Sequence, residues 1–203
     1  WRRGSGEGMG VKGVQELGRL KAHAEVLGGE AISTARRGVL ATGSGPVVPP
    51  ISGLADVPYH TNETIFELRD KPAHLLVIGG GPVGLEMAQA HRRLGCTVTV
   101  IEGQKAFGKE DPEMAAIVLQ KLRDEGVSIV EEALAQNISG MAGDITVETS
   151  NGTFKGTHLL VAVGRKVNIE KLNLDAAAIE YHRGGIRVDA GLRTSNRRVY
   201  AIG

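Results

Sequence analysis

The chain has 203 residues, and its 24 lysine and arginine side chains nearly balance 23 aspartate and glutamate side chains, for a net charge of +1. This balance gives no basis for electrostatic capture of nucleic acid or a membrane, while a hydrophobic content of 41% suffices for a core in one or two domains. The single cysteine excludes an internal disulfide, and we expect no signal peptide and no membrane span, which would need an apolar run of roughly 20 residues.

The first element with a clear pattern is a buried strand at Leu75–Ile78, a continuous apolar run of the kind found in parallel sheets. It leads into Gly79, Gly81 and Gly84, which have the G-x-G-x-x-G spacing. Gly79 allows a sharp turn, Gly81 leaves room for a pyrophosphate, and Gly84 lets the following helix pack closely against the strand. We expect that helix to end at Gly95.

A pyrophosphate would bind at the start of this helix, because free backbone N–H groups and the positive end of the helix dipole lie there. The alternative is a glycine-rich turn in a loop. The order of strand, glycines, helix, second strand and terminal acid argues against that alternative. The residues expected to contact the dinucleotide at this turn are Gly79, Gly80, Gly81, Pro82, Val83, Gly84, Leu85 and Glu86.

The second strand, Thr97 to Glu102, ends in a carboxylate that can accept hydrogen bonds from both adenosine ribose hydroxyls. The same carboxylate would repel the 2′-phosphate of NADP(H), by roughly 4 kcal/mol for like charges about 4 Å apart at an effective dielectric of 20. We therefore predict NAD(H) as the nucleotide. Lys105 and Lys109 favour NADP(H) instead, because either could neutralise a 2′-phosphate. Neither of them, however, is an arginine that takes the place of the acid Glu102.

A second helix is predicted to begin at Asp111, an N-cap residue followed by Pro112 at the first helical position. It should end at Gly126 and lead into a third strand at Val127–Val130, which completes a βαβαβ unit. Helical spacing predicts four residues on its inward face, namely Met114, Ile117, Val118 and Leu122.

After this unit the pattern changes to antiparallel strands. Ile145–Thr149 and Thr153–Lys155 flank Ser150-Asn151-Gly152, where Asn and Gly tolerate positive φ, so a hairpin is expected. The apolar strand Leu159–Val163 then returns to the parallel sheet and ends at Gly164. The predicted fold class is therefore α/β, Rossmann-like, with a parallel sheet plus an antiparallel β-meander.

Two further groups of segments surround this fingerprint. One is Gly38–Pro46, which contains Ala-Thr-Gly and continues to Pro49–Gly53. The other begins with Val161–Asn168 and includes Gly185–Asp189 and the stretch from Thr194 to Gly203. In this order the segments resemble those of the FAD-dependent pyridine nucleotide-disulfide oxidoreductases. The pattern is most similar to the group that contains dihydrolipoamide dehydrogenase, mercuric reductase and glutathione reductase.

This resemblance implies an FAD/NAD(P)-binding fold and contacts with FAD as well as NAD. Thr42 and Gly43 match the Ala-Thr-Gly motif that lies against FAD, with Ser44 next, and Gly18 resembles the position whose backbone approaches the FAD adenine. The alternative for Thr42 and Ser44 is that they satisfy backbone groups of a turn.

The resemblance also assigns roles around the nicotinamide. Glu86 matches an acid that reaches toward the flavin end of the nicotinamide pocket, although an acid in the first helical turn is the alternative. Ala135 and Gly164 match positions that line the adenine and nicotinamide ends of the NAD site. Pro82 stands where many relatives carry a bulky gate over the nicotinamide, and Val167 replaces the usual proline of Gly-Arg-x-Pro-Asn.

In the family, electrons pass from NADH to flavin and on to a cysteine pair, whereas this chain has only Cys96, which we expect to be a small buried apolar residue. It also has no second glycine fingerprint for FAD. We therefore expect a fragment that is not active alone and carries no catalytic residue. Its expected parts are 1–68, the end of an FAD domain with a linker; 69–166, the NAD(P) domain; and 167–203, the return to the FAD domain. The six histidines show no metal-ligand spacing.

The resemblance implies that the parent is an oxidoreductase acting on a small disulfide or a metal ion, and a homodimer through a C-terminal domain that this chain lacks. We expect it in the cytoplasm, or in the mitochondrial matrix of a eukaryote. NADH oxidases, ferredoxin reductases and coenzyme A disulfide reductases share these motifs and remain alternatives. A non-catalytic NADH-binding module is the alternative from a different functional class.

Overall fold

Residues 46–165 form one of two structural units in the computed structural model, which describes residues 17–22 and 25–202. The first unit combines the described residues before Pro46 with those after Arg165, and residues 46–165 are the second unit. The first unit begins with a three-stranded antiparallel sheet of β1 (Gly18–Ala22), β2 (Glu25–Gly28) and β3 (Ala31–Thr34). Two short strands follow, β4 (Gly38–Leu40) and β5 (Ser44–Pro46).

The second unit is built on a parallel sheet. Its first three strands alternate with two helices, in the order β6 (His74–Ile78), α1 (Pro82–Arg93), β7 (Thr97–Ile101), α2 (Pro112–Asp124) and β8 (Ser128–Val130). An antiparallel sheet follows, made of β9 (Ala135–Met141), β10 (Asp144–Thr149) and β11 (Gly152–Gly156). The chain then returns through β12 (His158–Val161), and the parallel sheet has the order β12-β6-β7-β8. The predicted parallel sheet with an antiparallel meander is thus confirmed.

The final segment carries β13 (Arg165–Val167), β14 (Tyr181–His182), β15 (Gly185–Ile186) and β16 (Val199–Ala201). In the first unit, β16 pairs in parallel with β4, so the two ends of that unit meet in one sheet. A small core joins them, formed by the buried side chains of Leu20, Leu172, Leu174, Ala177, Ile179 and Val199.

Alternate residues of β6 face two different cores, which explains its continuous apolar sequence. Leu75 and Val77 pack with the two helices, whereas Leu76 and Ile78 pack with the antiparallel sheet. Cys96 is fully buried in the helix-side core, as expected for a small apolar residue, and burial raises the pKa of its thiol. Neither helix among residues 17–22 and 25–202 is long and apolar enough to cross a bilayer.

The inward face predicted for α2 is wrong except at Leu122. Met114 and Ile117 are each 66% exposed and Val118 is 44% exposed, while the helix buries Ala115, Leu119 and Leu122. The sequence is apolar at every position from Met114 to Leu119, so helical periodicity alone does not distinguish one face from the other. The start of the helix is confirmed, because the Asp111 carboxylate accepts hydrogen bonds from the N–H groups of Glu113 and Met114.

Residues 46–68 pack within the second unit, although the expected boundary placed them with the first part of the chain. Leu54 and Val57 lie in the core that contains Leu76, so the segment covers one face of the parallel sheet. His60 extends that sheet beyond β12, because its N–H donates to the carbonyl of Leu159 and its carbonyl accepts from the N–H of Val161, both at 2.8 Å. In the sequence, residues 46–68 show only short apolar stretches between prolines, and this pattern did not predict that they pack on the sheet.

The ends of α1 and α2 are linked by Glu125, which follows α2. Its carboxylate accepts two hydrogen bonds from Arg93, at 2.8 and 2.9 Å, and a weaker one from Gln89. The Arg93 guanidinium lowers the pKa of Glu125 from its ordinary 4.5 to about 2.

This lowered pKa predicts acid sensitivity at the helix ends. The stabilisation is present above the ordinary carboxyl pKa and is lost as the pH falls towards about 2, because the unfolded state then binds more protons. We expect the Glu125→Gln variant to lose this part of the dependence of melting temperature on pH. The adjacent exposed acid offers the control Asp124→Asn, which should keep it. A Glu125→Gln profile parallel to that of the parent would contradict the prediction.

Candidate functional site

A cleft of about 380 Å³ opens in the second unit, beyond the carboxyl ends of β6, β7 and β12. In open parallel sheets this edge is where ligands bind. The cleft is lined by Asn62, Gly79, Gly80, Gly81, Pro82, Val83, Glu102, Gln104, Lys105, Phe107, Gly108, Lys109, Glu110, Ala162, Val163, Gly164 and Arg165. It therefore brings the glycine turn, the terminal acid of the second strand and Gly164 together.

The glycine turn is shaped by close backbone contacts. Gly79 has φ 111°, and a Cβ at this position would lie 2.5 Å from the carbonyl oxygen of Ala162. A Cβ at Gly84 would overlap the carbonyl oxygen of Gly79, so α1 can pack against β6 only without a side chain there. Both observations agree with the roles predicted from the spacing of these glycines.

Gly81 is different, because no atom lies within 4 Å of the place where its Cβ would be. It is the N-cap residue of α1, its φ and ψ are −81° and 179°, and no side chain caps the helix at this end. Backbone N–H groups in the first turn of a helix attract anions. The open space beside Gly81 therefore lies where a pyrophosphate could meet the helix dipole.

Glu102 holds the turn and its own loop together. Its Oε2 accepts a hydrogen bond of 2.7 Å from the N–H of Gly80, and its Oε1 accepts one of 2.9 Å from the N–H of Gln104. An ionised carboxylate has about four acceptor positions, so each oxygen can still accept from a hydroxyl. The half-buried carboxylate thus couples the shape of the glycine turn to the position expected for the ribose.

The loop after Glu102 is fixed at its middle by two hydrogen bonds. The N–H of Phe107 donates to the carbonyl of Gly80 at 2.9 Å, and the N–H of Ala106 donates to the Glu131 carboxylate at 2.9 Å. The two lysines noted in the sequence, Lys105 and Lys109, both line the cleft. Lys105 forms an ion pair of 3.0 Å with Glu132.

Other predicted contacts lie outside this cleft. Leu85 is buried in the helix-side core, and Glu86 is exposed on the next position of α1. Ala135 is half-buried at the start of β9. None of these three lines the cleft, and neither does Gly84. The helix α1 turns Leu85 toward the sheet and Glu86 to the outside. Their proposed contacts with nucleotide or flavin stay predictions.

The residues predicted to contact FAD lie in the first unit. Gly18 and Thr42 line a mostly apolar cavity of about 780 Å³, and Thr42 and Gly43 also line a smaller one of about 230 Å³. Asn168 fixes the Ala-Thr-Gly segment, since its Nδ2 donates to the carbonyl of Thr42 and its N–H donates to the carbonyl of Gly43. Ser44 begins β5.

Eight of the cleft residues were not identified in the sequence, and Asn62, Phe107 and Arg165 are among them. Asn62 comes from the segment taken as a linker, where nothing in the sequence indicated a site. Phe107 and Arg165 each follow the carboxyl end of a parallel strand, and that rule could have identified them. Across residues 17–22 and 25–202, no cluster of three or more His, Cys, Asp or Glu side chains could hold a metal ion.

The chain matches the profile of the family described as "Pyridine nucleotide-disulphide oxidoreductase" over residues 7–203. Mercuric reductase from Acidithiobacillus ferrooxidans is 38% identical over 177 residues, which cover 87% of this chain and 32% of that protein. The Shigella flexneri mercuric reductase is also 38% identical, over 181 residues, with the same coverage. The structure of the HOCl-induced flavoprotein disulfide reductase RclA from Escherichia coli superposes with a TM-score of 0.86 and 27% identity, covering 94% of this chain and 45% of that one. The chain thus spans about a third of the length of these curated relatives.

Proposed function

Because the chain belongs to the pyridine nucleotide-disulphide oxidoreductase family, we propose that residues 46–165 bind NAD(H) in the cleft and present it to FAD in a longer flavoprotein. NADH supplies the hydride in such a reaction. The chain's own residues bind and orient the nucleotide, and no residue of this chain is assigned a catalytic role.

The observation that carries this proposal is the pairing of an open Gly81 with Glu102 in one cleft. The first turn of α1 offers N–H groups to the pyrophosphate beside the open space at Gly81. The carboxylate of Glu102 is tied to that turn through the N–H of Gly80. In a dinucleotide the adenosine ribose is attached directly to the pyrophosphate. One ligand can therefore bind both the N–H groups at the start of α1 and the carboxylate of Glu102.

The first unit is proposed to contribute to the FAD site, together with parts of the parent protein outside this chain. The apolar cavity beside Gly18 and Thr42 and the open backbone at Gly43 support this assignment. We propose Gly18, Thr42, Gly43 and Ser44 as FAD contacts. We also propose a homodimeric cytoplasmic parent that reduces a small disulfide or a metal ion, since the relatives include mercuric reductases and a flavoprotein disulfide reductase.

Titration of the full-length protein with NADH and with NADPH tests the nucleotide assignment. We expect NADH to bind more tightly by about a thousandfold, from a repulsion of roughly 4 kcal/mol between Glu102 and a 2′-phosphate. Glu102→Gln should narrow this preference, because the amide carries no charge. The matched control is Glu148→Gln, on β10 and not among the cleft residues, which should leave both affinities unchanged. Tighter binding of NADPH by the unaltered protein would refute the assignment.

A further inference from the structure

Lys105 is a cation of the cleft that forms an ion pair with an acid outside it. Its Nζ lies 3.0 Å from Oε1 of Glu132, and the two side chains are 68% and 70% exposed. Both a hydrogen bond and the charge of Glu132 raise the pKa of Lys105, with a smaller contribution from the charge of Glu131. Lys109, the second lysine of the cleft, forms no ion pair with any described residue.

The backbone places Glu132 beside the loop that carries Lys105. The N–H of Glu132 donates to the carbonyl of Gln104 and the N–H of Ala133 donates to the carbonyl of Glu102, both at 2.9 Å. Glu132 has φ 58°, a left-handed conformation that is strained for a non-glycine residue. These two hydrogen bonds hold it in that conformation.

The neighbouring acid, Glu131, has two other partners. One oxygen of Glu131 accepts the N–H of Ala106 at 2.9 Å, and the other pairs with Arg123 at 3.1 Å. Glu131 therefore fixes the loop and α2, whereas Glu132 is the acid that forms the ion pair with Lys105.

We propose that Glu132 is a specificity-determining residue for the nucleotide, and that it acts by engaging Lys105 so that this ammonium is not available to a 2′-phosphate. The inference rests on the proposed NAD(H) site. A 2′-phosphate beside the adenosine ribose needs a compensating cation, and Lys105 is three positions from Glu102 on the same loop. Because Glu132 offsets the positive charge of Lys105, the negative charge of Glu102 dominates at the position of the ribose.

A double-mutant cycle in the full-length protein tests this inference, with dissociation constants of NADH and NADPH measured at low ionic strength. Glu132→Gln should tighten NADPH binding about twofold to fivefold, the range set by an exposed ion pair, and leave NADH binding unchanged. Lys105→Gln alone should have little effect on NADPH binding. Combined with Glu132→Gln, it should abolish the gain. The control Glu180→Gln breaks a similarly exposed ion pair with Arg187 in the first unit, at 68% and 66% exposure, and should leave both affinities unchanged.

Two outcomes overturn this inference and leave the proposed function intact. Glu132→Gln could bind NADPH no better than the parent, or its gain could persist in the double variant, which would show that Glu132 acts by its own charge. Melting temperatures of all variants, measured in parallel, separate these results from unfolding. If the unaltered protein binds neither nucleotide, or binds NADPH more tightly, the proposed function and the inference fail together.

Discussion

Replacing Gly81 by aspartate is expected to weaken NADH binding at least about a hundredfold without destabilising the protein. The new carboxylate would extend into the open space at the start of α1, where it would repel the pyrophosphate by roughly 4 kcal/mol at about 4 Å. It would also accept hydrogen bonds from the N–H groups that the pyrophosphate needs. Because aspartate is a better N-cap residue than glycine, the free energy of unfolding should stay the same or rise by a few tenths of a kcal/mol.

The opposite effects on binding and stability distinguish a ligand site from a structural turn. Titration with NADH and thermal unfolding of the full-length protein measure the two quantities separately. Gly81→Asn is the matched control, since it caps the helix in the same way and carries no charge, so its loss of affinity should be clearly smaller. If Gly81→Asp binds NADH normally, the pyrophosphate does not lie at this helix end.

The parallel sheet could be predicted because its physical requirement is visible in a few consecutive residues. A strand buried on both faces needs apolar side chains at every position, and Leu75–Ile78 satisfies this with one core on each side. The following glycines could be assigned because each close contact excludes a Cβ, as at Gly84 against Gly79. For Gly84 the local sequence carries this information, since its contact with Gly79 lies within the same turn.

The face of α2 and the packing of residues 46–68 depend on contacts distant in sequence. Every residue from Met114 to Leu119 is apolar, so only the position of the sheet decides that Ala115 and Leu119 are buried. Likewise, His60 extends the sheet beside β12, about a hundred residues later in the chain. No local pattern of charge or hydropathy indicates such a pairing.

The candidate site shows the same division. The terminal acid at Glu102 was predicted from its place after a strand, but its hydrogen bond to Gly80 depends on how two loops meet. The ion pair between Lys105 and Glu132 likewise joins loops that follow different strands. Sequence reasoning identified Lys105 as a possible phosphate ligand and could not see that an acid already engages it.

The contact between Gly79 and Ala162 leads to the second large expected effect. Gly79→Ala should lower the free energy of unfolding of the second unit by about 3 kcal/mol or more, because it combines a disfavoured φ with a collision against backbone. Gly143→Ala is the matched control, since Gly143 also has positive φ, 87°, but its Cβ would meet no atom within 4 Å. Gly143→Ala should lower the free energy of unfolding by only about 1 kcal/mol, which is the cost of the disfavoured φ alone.

The difference between these two variants isolates the collision, which is the part specific to the cleft. Ala162 lies just beyond β12, and its N–H donates to the carbonyl of Ile78, so the carbonyl oxygen that meets Gly79 is held by the sheet and cannot easily move away. Hydrogen exchange of the β6 and β7 amides in the full-length protein measures the local loss of stability. Equal effects of Gly79→Ala and Gly143→Ala would mean that the turn has room for a side chain, and the sharp turn after β6 would then not depend on glycine at this position.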